Sequence, residues 1–175
     1  MAVKWSFKRE FSFKNDRFAR IYRFYVIETP VSGTSCRGKN FKDRGINMNS
    51  LNAALKRESP FLKDKWLETT IKDIERICVE HDIGEKVDFS TELAIHTISN
   101  KHCSGKTDSL FYAIRCAFAH GSFDIHTFKN DTYYILENRD GGVLKARMIL
   151  KESTLLKWIE VVESTPKPQK SERRK

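Results

Sequence analysis

The sequence has little of what marks membrane, secreted and zinc-binding proteins. Its four cysteines, among 175 residues, show no paired spacing, which argues against a zinc knuckle and against a dense disulfide framework. No apolar run is long enough to span a bilayer, and no continuous apolar region follows the basic start MAVKWSFKREF. We therefore expect a soluble, cytoplasmic protein that is not exported, keeps its thiols reduced and contacts no membrane.

Patterns that would hold a metal ion are also weak. The five histidines form no HExxH pair, which is the spacing that places two imidazoles on one face of a helix. His96, His102 and Cys103 are close along the chain but lack the spacing of a known ligand set. We predict neither a metal site nor a cofactor.

Two segments resemble the phosphate-binding loop of nucleoside-triphosphate enzymes, and each departs from that pattern. In GTSCRGKN, Asn40 replaces the Ser or Thr that binds magnesium. In NKHCSGKT, Asn100 replaces the first glycine, which lets the chain curl around the phosphates. Because neither segment is expected to follow an apolar parallel strand with further alternation of strands and helices, we do not predict a triphosphate-dependent enzyme.

The net charge of +9 is concentrated near the two ends of the chain. The first segment, residues 1–14, is basic and rich in aromatic residues, a mixture that suits single-stranded RNA when both groups face solvent. The favoured alternative is that its aromatic rings pack in a core while the cations stay in water. The last segment, residues 165–175, has two prolines and no large apolar residue. It is predicted to be a disordered basic tail that adds only salt-sensitive affinity for polyanions.

Between these ends, residues 15–164 are predicted to form a single, mainly α domain. The segments TYYIL and VLKARMIL flank ENRDGG, which predicts a β-hairpin over about 132–150, before the last helix. The apolar periodicity and the capping residues predict six helices. In order, these run from Asn15 or Asp16 to before Pro30, from Asn49 or Ser50 through Leu55, from Ser59-Pro60 to Gly84, from near Ser90 through Ile98, from Thr107 or Asp108 to His120 with Gly121 as its terminator, and from Leu155 to Ser164.

The fifth predicted helix contains AIRCAFAHGSF, in which two polar residues interrupt an apolar segment. At 100° per residue, Arg115 and His120 flank the apolar stripe on opposite sides. The arc between them carries Tyr112, Cys116 and Ala119, and the two small residues would let another helix approach closely. We therefore predict a homodimer with these three residues at the interface, which brings both copies of Arg115 and His120 into one groove.

The phrase IRCAFAHG, in which Arg115 and His120-Gly121 are separated by four positions, resembles the Arg-x4-6-His motif of the HEPN superfamily (higher eukaryotic and prokaryotic nucleotide-binding domains). With the hairpin that follows, it looks most like the plasmid-borne and genomic-island bacterial members. The resemblance implies an all-helical bundle that dimerises, and a metal-independent endoribonuclease of a toxin-antitoxin or phage-defence system. It assigns Arg115 and His120 as the catalytic pair, with Tyr112 and Cys116 in supporting positions. Cys116 is a departure, because many active members have Asn, Asp or another polar residue there.

The chemistry of the two residue types agrees with such an activity. Metal-free cleavage of RNA needs a group that exchanges a proton near pH 7 and a fixed cation at the phosphorus, which histidine and arginine supply. The 2′-hydroxyl is then the nucleophile, and a cyclic phosphate remains. The alternative is structural, since basic residues in the last turns of a helix stabilise its dipole. A non-catalytic module that binds RNA, a nucleotide or a protein partner such as an antitoxin is therefore the second hypothesis.

Overall fold

The computed structural model describes residues 2–5, 15–31, 40–88, 91–98, 103 and 105–165 of the chain. These residues form a mixed α/β structure. Its elements in chain order are β1 (Ala2–Lys4), α1 (Asp16–Tyr22), which continues as a π-helical segment (Arg23–Glu28), α2 (Met48–Glu58), a 3₁₀ segment (Pro60–Lys63), β2 (Trp66–Thr69), α3 (Ile74–Glu80), β3 (Lys86–Asp88), β4 (Leu93–Thr97), α4 (Lys106–Ala119), β5 (Phe123–Phe128), β6 (Asp131–Asp140), β7 (Val143–Lys151) and α5 (Glu152–Ser164).

A five-stranded sheet in the order β2-β4-β7-β6-β5 lies at the centre of the fold. Strands β2 and β4 are parallel, and the other neighbours are antiparallel. Strands β1 and β3 form a separate antiparallel pair. The prediction of a mainly α, HEPN-like helical bundle is therefore wrong, because the hairpin is only two strands of a larger mixed sheet.

The prediction of one long helix from Ser59-Pro60 to Gly84 is wrong. The chain there forms the 3₁₀ segment, strand β2 and the short helix α3 in succession. Ile71, which the helical stripe would bury, is 51% exposed. The apolar spacing matched a helix by coincidence, because residues 66–69 pair with β4 and the helical stretch begins only at Ile74.

The helix predicted from near Ser90 through Ile98 is also wrong, because residues 93–97 are strand β4. All five residues of β4 are buried, since helices cover one face of the sheet and α3 with Val87 of β3 covers the other. A strand that is buried on both faces shows no alternation of apolar and polar residues. Such a short apolar run cannot be distinguished from a helix by periodicity alone.

Helices α1, α2, α4 and α5 and the β6–β7 hairpin agree with their local signals, whereas strands β1, β3 and β5 were not predicted. The side chain of Asn15 caps α1 by accepting from the backbone N–H groups of Arg17 and Phe18. The β6–β7 hairpin turns at Gly141 and Gly142, which have φ of 56° and 81°. Helices α4 and α5 end at the predicted residues within one position, whereas α2 begins slightly early, capped by Asn47.

The two faces of the sheet build two apolar layers. Tyr134 and Leu136 of β6 pack with helices α1, α2, α4 and α5 on one face. Tyr133 and Ile135, which alternate with them, pack with α3 and with Val87 of β3 on the other. The long helix α4 therefore lies against the first face, with its apolar side in the larger core.

Three predictions concern parts of the chain that lie largely or wholly outside the described residues. Only residues 2–5 of the basic aromatic segment 1–14 are described, and the tail is described only at Thr165. His102 also falls outside. Within the described part of the chain, none of the helices has both the length and the apolar character that crossing a membrane requires.

Candidate functional site

Helix α4 ends in a hydrogen-bonded turn that places His120 at the surface. The N–H of Ser122 donates to the carbonyl of Ala117 at 2.8 Å, and the N–H of Gly121 donates to the carbonyl of Phe118 at 3.1 Å. This pair of bonds is a Schellman motif, and it requires the left-handed conformation of Gly121, whose φ is 65°. His120 is consequently an exposed helix cap directly before β5.

A groove of about 180 Å³ runs beside this helix end. We call it the Tyr112–His120 groove. Tyr112, Cys116 and His120 form one wall, because residues four apart share a helix face. Two further walls come from the carboxyl ends of β2 and β4 and from the β6–β7 turn. They contribute Ile71, Thr97, Ile98, Asn138, Arg139, Asp140 and Lys145.

A β-bulge shapes the hairpin side of the groove. Asn138 pairs with Ala146, while Arg139 pairs with Leu144, so Lys145 is an extra residue on β7. A bulge re-aims the side chains around it. Lys145 lines the groove, is half-buried, and forms no ion pair with any of the described residues. Its amine is thus available to an anionic ligand.

The guanidinium of Arg139 is held in place before any ligand binds. Its Nε donates to Oε1 of Glu137 at 2.8 Å, and its Nη1 donates to the carbonyl of Gly142 at 3.0 Å. The hydrogen bond with Glu137 also raises the pKa of Arg139. Glu137 in turn accepts from Nε of the buried Arg147 at 2.8 Å. This chain of contacts fixes one cation at the groove, which a phosphate can meet without ordering a flexible side chain.

Tyr112 and Cys116 form the less charged wall. Burial, and then the neighbouring Cys116 thiol with its hydrogen bond, raise the pKa of Tyr112 to about 12. The phenol therefore stays protonated near neutral pH and can donate a hydrogen bond. Cys116 is 5% exposed, and its Sγ lies 3.9 Å from Nη1 of Arg115.

The structure does not place Arg115 and His120 in direct contact within the described groove. His120 lines the groove, while Arg115 does not line it, is half-buried and contacts the groove residue Cys116. Arg115 is nevertheless close enough to Tyr112 to oppose the rise of its pKa. Their assignment as a catalytic pair stays a prediction.

The predicted dimer face is partly covered by the chain itself. Cys116 is already buried in a single chain, and Tyr112 and Ala119 are half-buried. The cover over Cys116 and Tyr112 comes from the sheet end and hairpin that line the groove with them. A second copy would therefore meet the rim around Ala119 more readily than Cys116, and the homodimer stays a prediction.

Asn138, Arg139 and Lys145 were missed as site residues because no sequence signal joins them to α4. The letters ENRDGG predict a turn, in which charged residues are ordinary. Their position beside His120 depends on the pairing of β6 with β7 and on the packing of α4 against β6. That packing is a long-range contact, so local patterns do not reveal it.

The buried His96 belongs to a structural cluster. Its Nε2 accepts from Nε1 of Trp66 at 2.8 Å, and burial lowers the pKa of His96 to about 4. The ring is thus neutral at pH 7. In the described part of the chain, no group of three or more His, Cys, Asp or Glu side chains is arranged to hold a metal ion.

Lys106, from the phosphate-loop-like NKHCSGKT, also belongs to this cluster. That segment follows β4, which pairs in parallel with β2 but in antiparallel with β7, so the strand is part of a mixed sheet. The Lys106 amine donates to the carbonyl of Trp66 at 2.7 Å and lies 4.7 Å from the centre of its indole ring. Its role here is to tie the start of α4 to β2.

Comparison with known proteins does not extend this description. No family model, no curated protein and no solved structure matches the chain.

Proposed function

We propose that the chain is a metal-independent endoribonuclease of the toxin-antitoxin or phage-defence type, acting in the cytoplasm through the Tyr112–His120 groove. The observation that carries the proposal is the convergence of His120, Arg139 and Lys145 on one groove. An imidazole is the side chain best suited to proton transfer near neutral pH, and the two cations attract an anionic phosphodiester. The net charge of +9 favours a polyanionic partner.

In this proposal the imidazole of His120 accepts the proton of the ribose 2′-hydroxyl. The oxygen attacks the neighbouring phosphorus, the bond to the 5′-oxygen breaks, and a 2′,3′-cyclic phosphate remains. Arg139 and Lys145 stabilise the charge that develops on the phosphorane oxygens. The phenol of Tyr112 donates a proton to the departing 5′-oxygen and recovers one from His120. Arg115, beside Cys116 and Tyr112, adds positive potential at this wall.

The test is cleavage of end-labelled single-stranded RNA in EDTA. Wild type should leave 2′,3′-cyclic phosphate ends. His120→Ala should lower the rate by about 10²–10⁴-fold because it removes the general base, and Arg139→Ala by about 10²-fold because it removes the cation that is held at the groove. His81→Ala and Arg57→Ala are the matched controls, since both side chains lie outside the groove and His81 is exposed.

Two outcomes would contradict the proposal. Equal cleavage by all five proteins would place the activity outside the groove or in a contaminant. Tight retention of RNA without cleavage would favour the second function, a non-catalytic module that binds RNA, a nucleotide or an antitoxin. One observation favours that second function. Cys116 is buried, and it stands at the position where active HEPN proteins often carry a polar side chain.

A further inference from the structure

The Tyr112–His120 groove has an apolar side next to its charged side. Ile71 and Ile98 line it and are 51% and 66% exposed. Both follow the carboxyl ends of β2 and β4, which are neighbours because these strands are parallel. Two large exposed aliphatic side chains beside a polar groove form a surface for a flat apolar ligand face.

An amide group lies in the same groove. Asn138 is 8% exposed and lines it, and its side chain forms no hydrogen bond with the described residues around it. An amide that lines a groove and has no partner within the described residues can pair with a ligand there. The amide offers one donor and one acceptor side by side, which a nucleobase edge can pair with.

From this juxtaposition we propose that the groove takes one unpaired nucleobase of RNA, with its face on Ile71 and Ile98 and its edge on the Asn138 amide. The inference rests on the proposed function, since Arg139 and Lys145 would hold the adjoining phosphate. A base in a duplex has its faces stacked and its edge paired, so it cannot make both contacts. The single-stranded RNA of the proposed function is therefore bound through a base as well as through its backbone.

Binding is best measured with 2′-O-methyl oligonucleotides, because these lack the nucleophile and are not cleaved. Three fluorescent ligands separate the contributions: a single-stranded 12-mer, the same strand annealed to its complement, and the same strand with abasic positions. In wild type, the intact single strand should bind about tenfold more tightly than either of the others, as expected for one base contact.

Variants locate the base contact. Asn138→Leu and Ile98→Ser should each remove most of the difference between the intact and abasic strands, while the affinity for the abasic strand stays unchanged. Ile71→Ser, at the other aliphatic residue proposed to contact the base face, should have the same effect as Ile98→Ser. Val79→Ser is the matched control, because Val79 is 65% exposed on α3 and does not line the groove. Thermal unfolding of each variant establishes that it is folded.

The outcomes separate this inference from the proposed function. Equal affinity for intact and abasic strands in wild type overturns the base contact but leaves backbone binding intact. Equal or tighter binding of the duplex overturns it as well. Failure of all three ligands to bind overturns the proposed function itself. Loss of the base contribution in Val79→Ser to the same degree as in Ile98→Ser would place the contact elsewhere.

Discussion

Glu137 is the residue on which the hairpin side of the groove depends. Its carboxylate accepts from Arg139 at the groove and from Arg147 on the opposite side. The side chains of Glu137 and Arg147 are 8% and 10% exposed, so this ion pair is shielded from water. Arg147 also donates to the carbonyls of Ile83 and Gly84 and covers the ring of Trp5. The pair therefore connects the sheet to the loop after α3 and to the residue that follows β1.

We expect Glu137→Ala to lower the free energy of unfolding by about 3–5 kcal/mol, because it leaves a buried guanidinium without its counter-ion. Urea denaturation measures this loss. Glu80→Ala is the matched control, since it removes an exposed ion pair with Arg76 and should leave the free energy of unfolding nearly unchanged. A similar small loss in both variants would show that Glu137 is not essential to the packing.

At the scale of elements, the end of α4 is a feature for which the local sequence prediction agrees with the structure. Gly121 terminates the helix in a left-handed conformation, as a glycine after a helical stripe predicts. The same local logic explains the Asn15 cap and the turn at Gly141-Gly142. Each of these signals involves residues within about four positions of one another, where backbone sterics decide the outcome.

We expect Gly121→Ala to lower the free energy of unfolding by about 1–2 kcal/mol. A Cβ there meets no atom within 4 Å, so the cost is the strain of a positive φ in an L residue. Gly121→Asn should cost clearly less, because asparagine tolerates this conformation. Calorimetric melting of the three proteins checks the order. Equal stability of the alanine and asparagine variants would mean that the turn rearranges.

The wrong predictions for β2 and β4 show where local sequence patterns stop being sufficient. Strands β2 and β4 contain apolar residues that also fit a helix, and both are stabilised by pairing with distant residues. The N–H of Ala94 donates to the carbonyl of Lys65 at 2.9 Å, across the parallel pair. A parallel pair joins segments that are well separated in the chain, so no window of neighbouring residues contains the information.

At the scale of the whole molecule, the predicted assembly involves the surface beside the Tyr112–His120 groove. We expect a homodimer that buries Ala119 and Tyr112, because both are half-buried beside the exposed His120 and a second copy would enclose the groove. Light scattering at high protein concentration measures the mass. Ala119→Arg should shift it to that of a monomer, while Val79→Arg should leave it unchanged. A monomeric wild type would contradict the prediction.

The sequence by itself determined the local features: where α1, α4 and α5 lie, how they are capped, where the hairpin turns, and that His120 stands at a helix end. These depend on backbone sterics and on periodicity over a few turns. Only the tertiary structure decided that the fold is a mixed sheet and that His120 faces Asn138, Arg139 and Lys145 while Arg115 lies behind Cys116. The physical reason is that strand pairing and helix–sheet packing are contacts between segments that are distant in the sequence. The free energy of each contact depends on both segments together, so neither segment predicts it by itself.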